Sequence, residues 1–167
     1  MHASQVYRKY LMWGLYALLF LLVLLVQDVT LARQRFFGAK LNLLPMTVAL
    51  IAMHLGHEVG GLFGLLAGVF WCLTGASDGS AAIFTWTVTG IAAGFVCDAV
   101  LVRRFLPALG LSALALLFHE GVVFFLNLLL ADAAFSMGLW VLVTVGLSLL
   151  ACPVLYLLCR AIGKVGG

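Results

Sequence analysis

The chain has 167 residues, 65% of them hydrophobic and 9% charged, with a mean hydropathy of +1.23 and a net charge of +3. A soluble domain carries roughly a quarter charged residues, so too few polar side chains remain here to cover a water-facing surface. The apolar residues fall in long unbroken runs, which excludes a soluble enzyme and points to an all-α integral membrane protein.

Crossing the hydrocarbon core takes about 20 helical residues, with a range of about 17–25. In chain order, the first run of that length is Tyr10–Val26. Arg8 and Lys9 precede it as they would a secretory signal, but the apolar run exceeds the roughly 7–15 residues of a cleavable one. No small-x-small site follows, so it reads as a retained span. A basic connection, Gln27–Lys40, comes next and carries Phe36-Phe37, suited to the membrane interface. Two shorter runs, Leu41–Gly56 and Val59–Leu73, are separated by His54, His57 and Glu58. They read as two short helices joined by a tight turn, with a re-entrant hairpin as the alternative. Three further runs, Ala81–Val102, Pro107–Leu130 and Phe135–Cys159, are long enough to span and have only brief connections between them. The expectation is a single bundle of about six helices, at 10–26, 41–56, 59–73, 81–102, 107–130 and 135–159. The alternative count is four.

Either count is even, which puts both termini on one face. With the N-terminus inside, Arg8, Lys9, Arg103, Arg104, Arg160 and Lys164 are cytoplasmic, and Arg33, Arg35 and Lys40 are external. Six against three follows the positive-inside rule. Asp28, Asp78 and Asp132 then fall in external connections. This bias accounts for the positive charge without nucleic acid.

Glycine placement predicts how the helices pack. Gly60, Gly64 and Gly68 recur every four residues along the third helix, and Gly90 and Gly94 repeat the small-xxx-small pattern in the fourth. In lipid, helices associate through close van der Waals contact, and small residues let their backbones approach. Packing of these two helices on each other is the leading reading, and a groove for a partner's helix is the sharper one.

Ionisable residues at membrane depth are costly and need partners. His119 and Glu120 lie in the fifth run, where Glu120 shares a helical face with Asn127 and His119 with Ser112. Each therefore needs a partner on another helix, and the three polar residues His119, Glu120 and Asn127 are expected to be buried. A polar tie between helices is the leading reading, with a proton relay or ligand contact as the sharper one. His54, His57 and Glu58, at i, i+3 and i+4, have a spacing that can hold a metal, although a helix end explains them equally. Asp98 reads as interfacial. The H-E-x-x-H signature fails because Gly121, Val122 and Val123 follow His119-Glu120. Nucleophile-elbow and phosphate-loop motifs are missing, and Cys72, Cys97, Cys152 and Cys159 form no C-x-x-C pair. These readings leave no catalytic residue, cofactor site or metal site to assign, and the chain is not expected to be an enzyme.

The order of features resembles the rod shape-determining protein MreD family over most of the chain. Leu44-Pro45-Met46 opens a short helix, and the Gly60–Gly68 helix follows a brief polar turn. Thr74–Gly79 makes a small turn before the helix with Gly90-x-x-x-Gly94, then come Arg103-Arg104 and a long helix with an acid inside it. The chain departs from the family's usual acids at Met46 and Cys72. The resemblance implies a non-enzymatic scaffold of the cell-elongation complex in the bacterial cytoplasmic membrane. Its partners would be an MreC-like bitopic protein, the MreB filament, and RodA with its transpeptidase. It also implies a fold similar to the substrate-binding subunits of energy-coupling-factor transporters. A vitamin-binding subunit of that kind is the alternative function, with His119, Glu120 and Asn127 lining its pocket.

Overall fold

The computed structural model describes residues 2–31, 40–76, 78–99, 104–130 and 137–166. Arg33, Arg35, Phe36, Phe37, Arg103 and Asp132, and the proposed span ends at 100–102 and 135–136, lie outside the described residues. Among the described residues the secondary structure is helical, with no strand. Helix α1 (His2–Val26) runs on into a π-helical turn at Gln27–Leu31. It is followed by α2 (Leu44–Leu55), α3 (His57–Leu73), α4 (Gly79–Ala99), α5 (Phe105–Leu130), α6 (Gly138–Leu149) and α7 (Cys152–Gly166).

Three helical stretches, Tyr7–Val29, Gly79–Ala99 and Phe105–Leu130, are long and apolar enough to cross a membrane. A fourth arises if α6 and α7 are counted as one bent span. That bend corrects the expected continuous helix over 135–159. The chain turns by 49° between α6 and α7, and Pro153 stands at the second residue of α7. Proline has no N–H, and its ring collides with the carbonyl four residues back. That carbonyl belongs to Leu149, where α6 ends.

Helices α2 and α3, with 12 and 17 residues, are shorter than the three spans. At 1.5 Å per residue, α2 covers about 18 Å of a core roughly 30 Å thick. Its environment explains how it tolerates being short. Every residue from Leu44 to Met53 is buried, and α2 touches α1, α3, α4, α5 and α7. It is the central strut of the bundle, shielded from lipid by its neighbours. Pro45 opens it, in the first turn where the missing N–H costs nothing. Gly56 closes it at φ +83°, a conformation that favours glycine.

The outer helices bury one stripe each. On α1 the stripe is Tyr16, Leu19, Phe20, Val23 and Gln27. On α5 it is Ala108, Ser112, Ala115, Leu116 and His119. The remaining faces expose leucine, phenylalanine and valine, as helices solvated by lipid do. Small residues meet where α2, α4 and α5 come closest, in a cluster of Ala49, Ala52, Ala93 and Ala115.

The tightest seam joins α3 and α4, which run antiparallel. A Cβ added at Gly60 would lie 2.7 Å from the Ala52 Cβ and 2.9 Å from the Gly90 carbonyl oxygen. At Gly64 it would strike the Trp86 carbonyl, and at Gly68 it would lie 2.6 Å from the Ile83 Cα. At Gly90 it would meet the Gly60 carbonyl, and at Gly94 the backbone of Gly56 and His57. The five glycines thus serve the packing of this chain on itself. The stripe is filled by α4 and leaves no groove there for a partner's helix.

Candidate functional site

Polar side chains gather at the end of the bundle where α1 and α3 finish and α2 and α4 begin, away from the chain termini. They wall an open cleft of about 380 Å³. Gln27 is buried at the end of the α1 stripe and fixes the return of the chain into α2. Its amide nitrogen donates to the Leu41 carbonyl at 2.6 Å, and its carbonyl oxygen accepts the Leu43 N–H at 3.1 Å. The second bond supplies a partner to one of the N–H groups that a helix start leaves open.

Asn42 stands next to that anchor and ties three elements together. Its backbone N–H donates to the Ser148 hydroxyl of α6 at 3.0 Å, and its side-chain amide donates to Glu120 of α5 at 2.7 Å. Glu120 is half-buried and lines the cleft. The requirement that Glu120 find a partner off its own helix is met by Asn42, which the sequence reading placed in the second span, 41–56, and which stands just before α2.

His119, 1% exposed, points the other way into the bundle. Its Nδ1 lies 2.7 Å from the Thr85 hydroxyl of α4, and its Nε2 lies 3.3 Å from Asp78, the residue just before α4. The other Asp78 oxygen accepts from the Trp71 indole N–H at 3.1 Å. Burial pushes the Asp78 carboxyl upward, but hydrogen bonds from His119 and Trp71 and the attraction of His119 outweigh it. The net result lies below the ordinary aspartate value of 3.8.

The proton count around His119 is restricted. The Thr85 hydroxyl has one hydrogen, and its oxygen also sits 2.8 Å from the Ala81 carbonyl. If the hydroxyl donates to Ala81, both ring nitrogens must carry protons, because Nδ1 then donates to Thr85 and Nε2 to Asp78. If the hydroxyl turns to Nδ1, the ring is neutral with its proton on Nε2. Both arrangements keep the bond to Asp78.

A hydroxyl, an imidazole and a carboxylate in sequence also form the order of a nucleophilic triad. Thr85 is fully buried, however, and its hydroxyl is enclosed by the packing of α4 and α5. A substrate carbonyl has no approach to it, so the chain of bonds acts as a tie between α3, α4 and α5.

Other expected sites separate. Asn127 is exposed, not buried as expected, because it lies two turns beyond Glu120 where α5 has left the stripe that faces the bundle. It lines a second cavity of about 180 Å³ that shares Asp78 with the cleft. His54, His57 and Glu58 do not share a helical face, because Gly56 breaks the helix between them. His54 turns inward, its Nδ1 2.9 Å from the Leu50 carbonyl and its ring beside Tyr16. His57 pairs with Asp98 at 3.2 Å, and Glu58 is exposed. Among the described residues, no three His, Cys, Asp or Glu side chains are placed to hold a metal ion.

Gln27, Asn42, Trp71 and Asp78 are the residues that sequence reasoning missed as site members. A signal was present in the last two, since an indole and an acid seven residues apart flank a glycine turn. Compared with known protein families, curated proteins and solved structures, the chain has no match.

Proposed function

We propose that this protein is a non-enzymatic scaffold of the bacterial cell-elongation complex, seated in the cytoplasmic membrane with both termini in the cytoplasm. Its partners would be an MreC-type bitopic protein, the MreB filament, and RodA with its transpeptidase. The observation that carries this reading is the unit formed by α2, Gly56, α3 and α4. A proline-started short helix, a glycine turn, and a glycine stripe pressed onto Gly90 and Gly94 are the features on which the resemblance to MreD rests. In this unit they form one packed body. A rigid seam of that kind gives a fixed outer surface on which other membrane helices can register.

The same unit supports six crossings. Helix α3 lies along α4 from Gly56, beside Asp98, to Cys72, beside Gly79. It therefore covers the same depth as α4, which is long enough to span. Helix α2 runs back along about 18 Å of that depth at the centre of the bundle.

The polar cleft favours a second reading, a substrate-binding subunit of an energy-coupling-factor transporter. Trp71, Asn42 and Glu120 meet there although they are distant in sequence. Purification of the tagged chain from its native membrane in mild detergent, with mass spectrometry of stoichiometric partners, separates the two. A coiled-coil bitopic protein with cell-wall polymerases is the expected outcome. Recovery of ATP-hydrolysing subunits with a coupling membrane protein would replace the scaffold by the transporter.

A further inference from the structure

The cleft has an unbalanced set of hydrogen-bonding groups. Gln27 uses its amide nitrogen on Leu41 and its oxygen on Leu43. Asn42 gives an amide N–H to Glu120. Both Asp78 oxygens are engaged, by Trp71 and by His119. Among the described residues, the second Glu120 oxygen, the Asn42 side-chain carbonyl and the Asp28 carboxylate have no hydrogen-bond partner, and all three are acceptors. The lining holds three carboxyl groups (Asp28, Asp78 and Glu120) against one ammonium, that of Lys40. Such a cavity is suited to a cation that donates hydrogen bonds.

The identity of that cation is narrowed by geometry. A metal ion needs several converging ligands, and the acids here do not converge. A primary ammonium carries three donors on one compact centre, which suits a lining where Asn42 and Glu120, joined at 2.7 Å, each keep an oxygen without a hydrogen-bond partner. Lys40 supplies a counterpart for an anion attached to the same molecule. The cleft also opens beside the ends of α1 and α3 and the starts of α2 and α4.

We propose that the cleft between Asn42, Glu120 and Asp28 binds the ammonium of a phosphoethanolamine group, with Lys40 meeting its phosphate. The group comes from a lipid headgroup or from a free molecule. This site does not depend on the scaffold role, since a scaffold and a transporter subunit could each carry it.

The test uses the purified full-length chain in detergent, with binding read by native mass spectrometry. Phosphatidylethanolamine is compared with phosphatidylcholine of the same acyl chains, and glycerophosphoethanolamine with glycerophosphocholine. Choline is a cation of similar charge without N–H donors. The ethanolamine member should bind about tenfold more tightly, equivalent to about 1.4 kcal/mol. Glu120→Gln should remove most of that preference, and Asp98→Asn, at the opposite end of the bundle, should leave it intact. Preference in both pairs identifies the free headgroup as sufficient, and preference in the lipid pair alone identifies the bilayer as the source. Equal binding of ethanolamine and choline compounds by the unaltered chain, or no binding of either, overturns the proposal. So does a Glu120→Gln chain that melts normally and keeps the preference.

Discussion

The polar cleft lies at one end of the α3–α4 seam, and the two are held together by opposite means. In the seam, backbone meets backbone across glycines, and no side chain intervenes between Gly64 and Trp86 or between Gly90 and Gly60. In the cleft, the backbones stay apart and side chains such as Gln27, Asn42 and Asp78 bridge the gap. The seam is therefore sensitive to volume and indifferent to charge. The cleft is sensitive to charge and to hydrogen-bond count, and has room to spare.

The largest expected effect comes from adding volume to the seam. Gly64→Leu drives a side chain into the Trp86 carbonyl, where no rotamer relieves the clash. Overpacking costs typically about 1–3 kcal/mol and more when backbone must move. The chain should be recovered poorly or as aggregate in size-exclusion chromatography. Gly110→Leu is the control, since nothing lies within 4 Å of a Cβ there. A Gly64→Leu chain that elutes and melts like the parent would break the contrast between the two regions.

Next in size is His119→Ala, which removes the link between Thr85 and Asp78 and leaves a cavity beside Trp86. A buried polar group stripped of its partner costs about 1–3 kcal/mol. The expected outcome is a lowered melting temperature in detergent with normal elution. His57→Ala, whose ring and Asp98 partner are both substantially exposed, should change it little.

These two regions were legible in the sequence to different degrees. The seam could be read because its signal is local: glycines every fourth residue fix which face of α3 must meet another backbone. The break between α2 and α3 was signalled locally by His54, His57 and Glu58 interrupting the apolar runs, but the part Gly56 plays in making it was not read. The need of His119 and Glu120 for partners was also legible, from the cost of polarity in lipid. The partners' identities were not, since Asn42 and Glu120 are 78 residues apart and nothing local links them. Hydropathy also misled at Pro153, where an apolar run hides a residue that cannot continue a helix. It understated α2, whose short length looked like weakness and instead reflects complete enclosure by the other helices.

A pH titration sharpens the comparison further. The Asp78 carboxyl is held below its ordinary value in the folded chain, so its contribution is fully present above pH about 3.8. That contribution is lost as the pH falls through the lowered folded value. Melting followed from pH 6 downward should show the parent losing stability below about 4. Asp78→Asn should start lower and show a shallower acid loss. Equal slopes for the two chains would mean that Asp78 does not link the Trp71 and His119 contacts to the fold.

The smallest expected effect on stability belongs to Glu120→Gln, and it divides the structural role of this residue from any chemical one. Glutamine keeps the volume and offers a carbonyl oxygen at the place where the Asn42 amide now donates. The acceptor is kept, and for a half-buried site the loss should stay within about 1 kcal/mol. Melting and elution should be close to those of the parent. What disappears is the carboxyl group, in a cleft where Asn42 and Asp28 otherwise offer acceptors. If, under the proposed scaffold role, cells carrying Glu120→Gln assemble the complex and keep their shape, the residue serves as a tie. If assembly is intact and growth fails, the acid itself is used, and the cleft has a role beyond tying α5 to the segment that leads into α2.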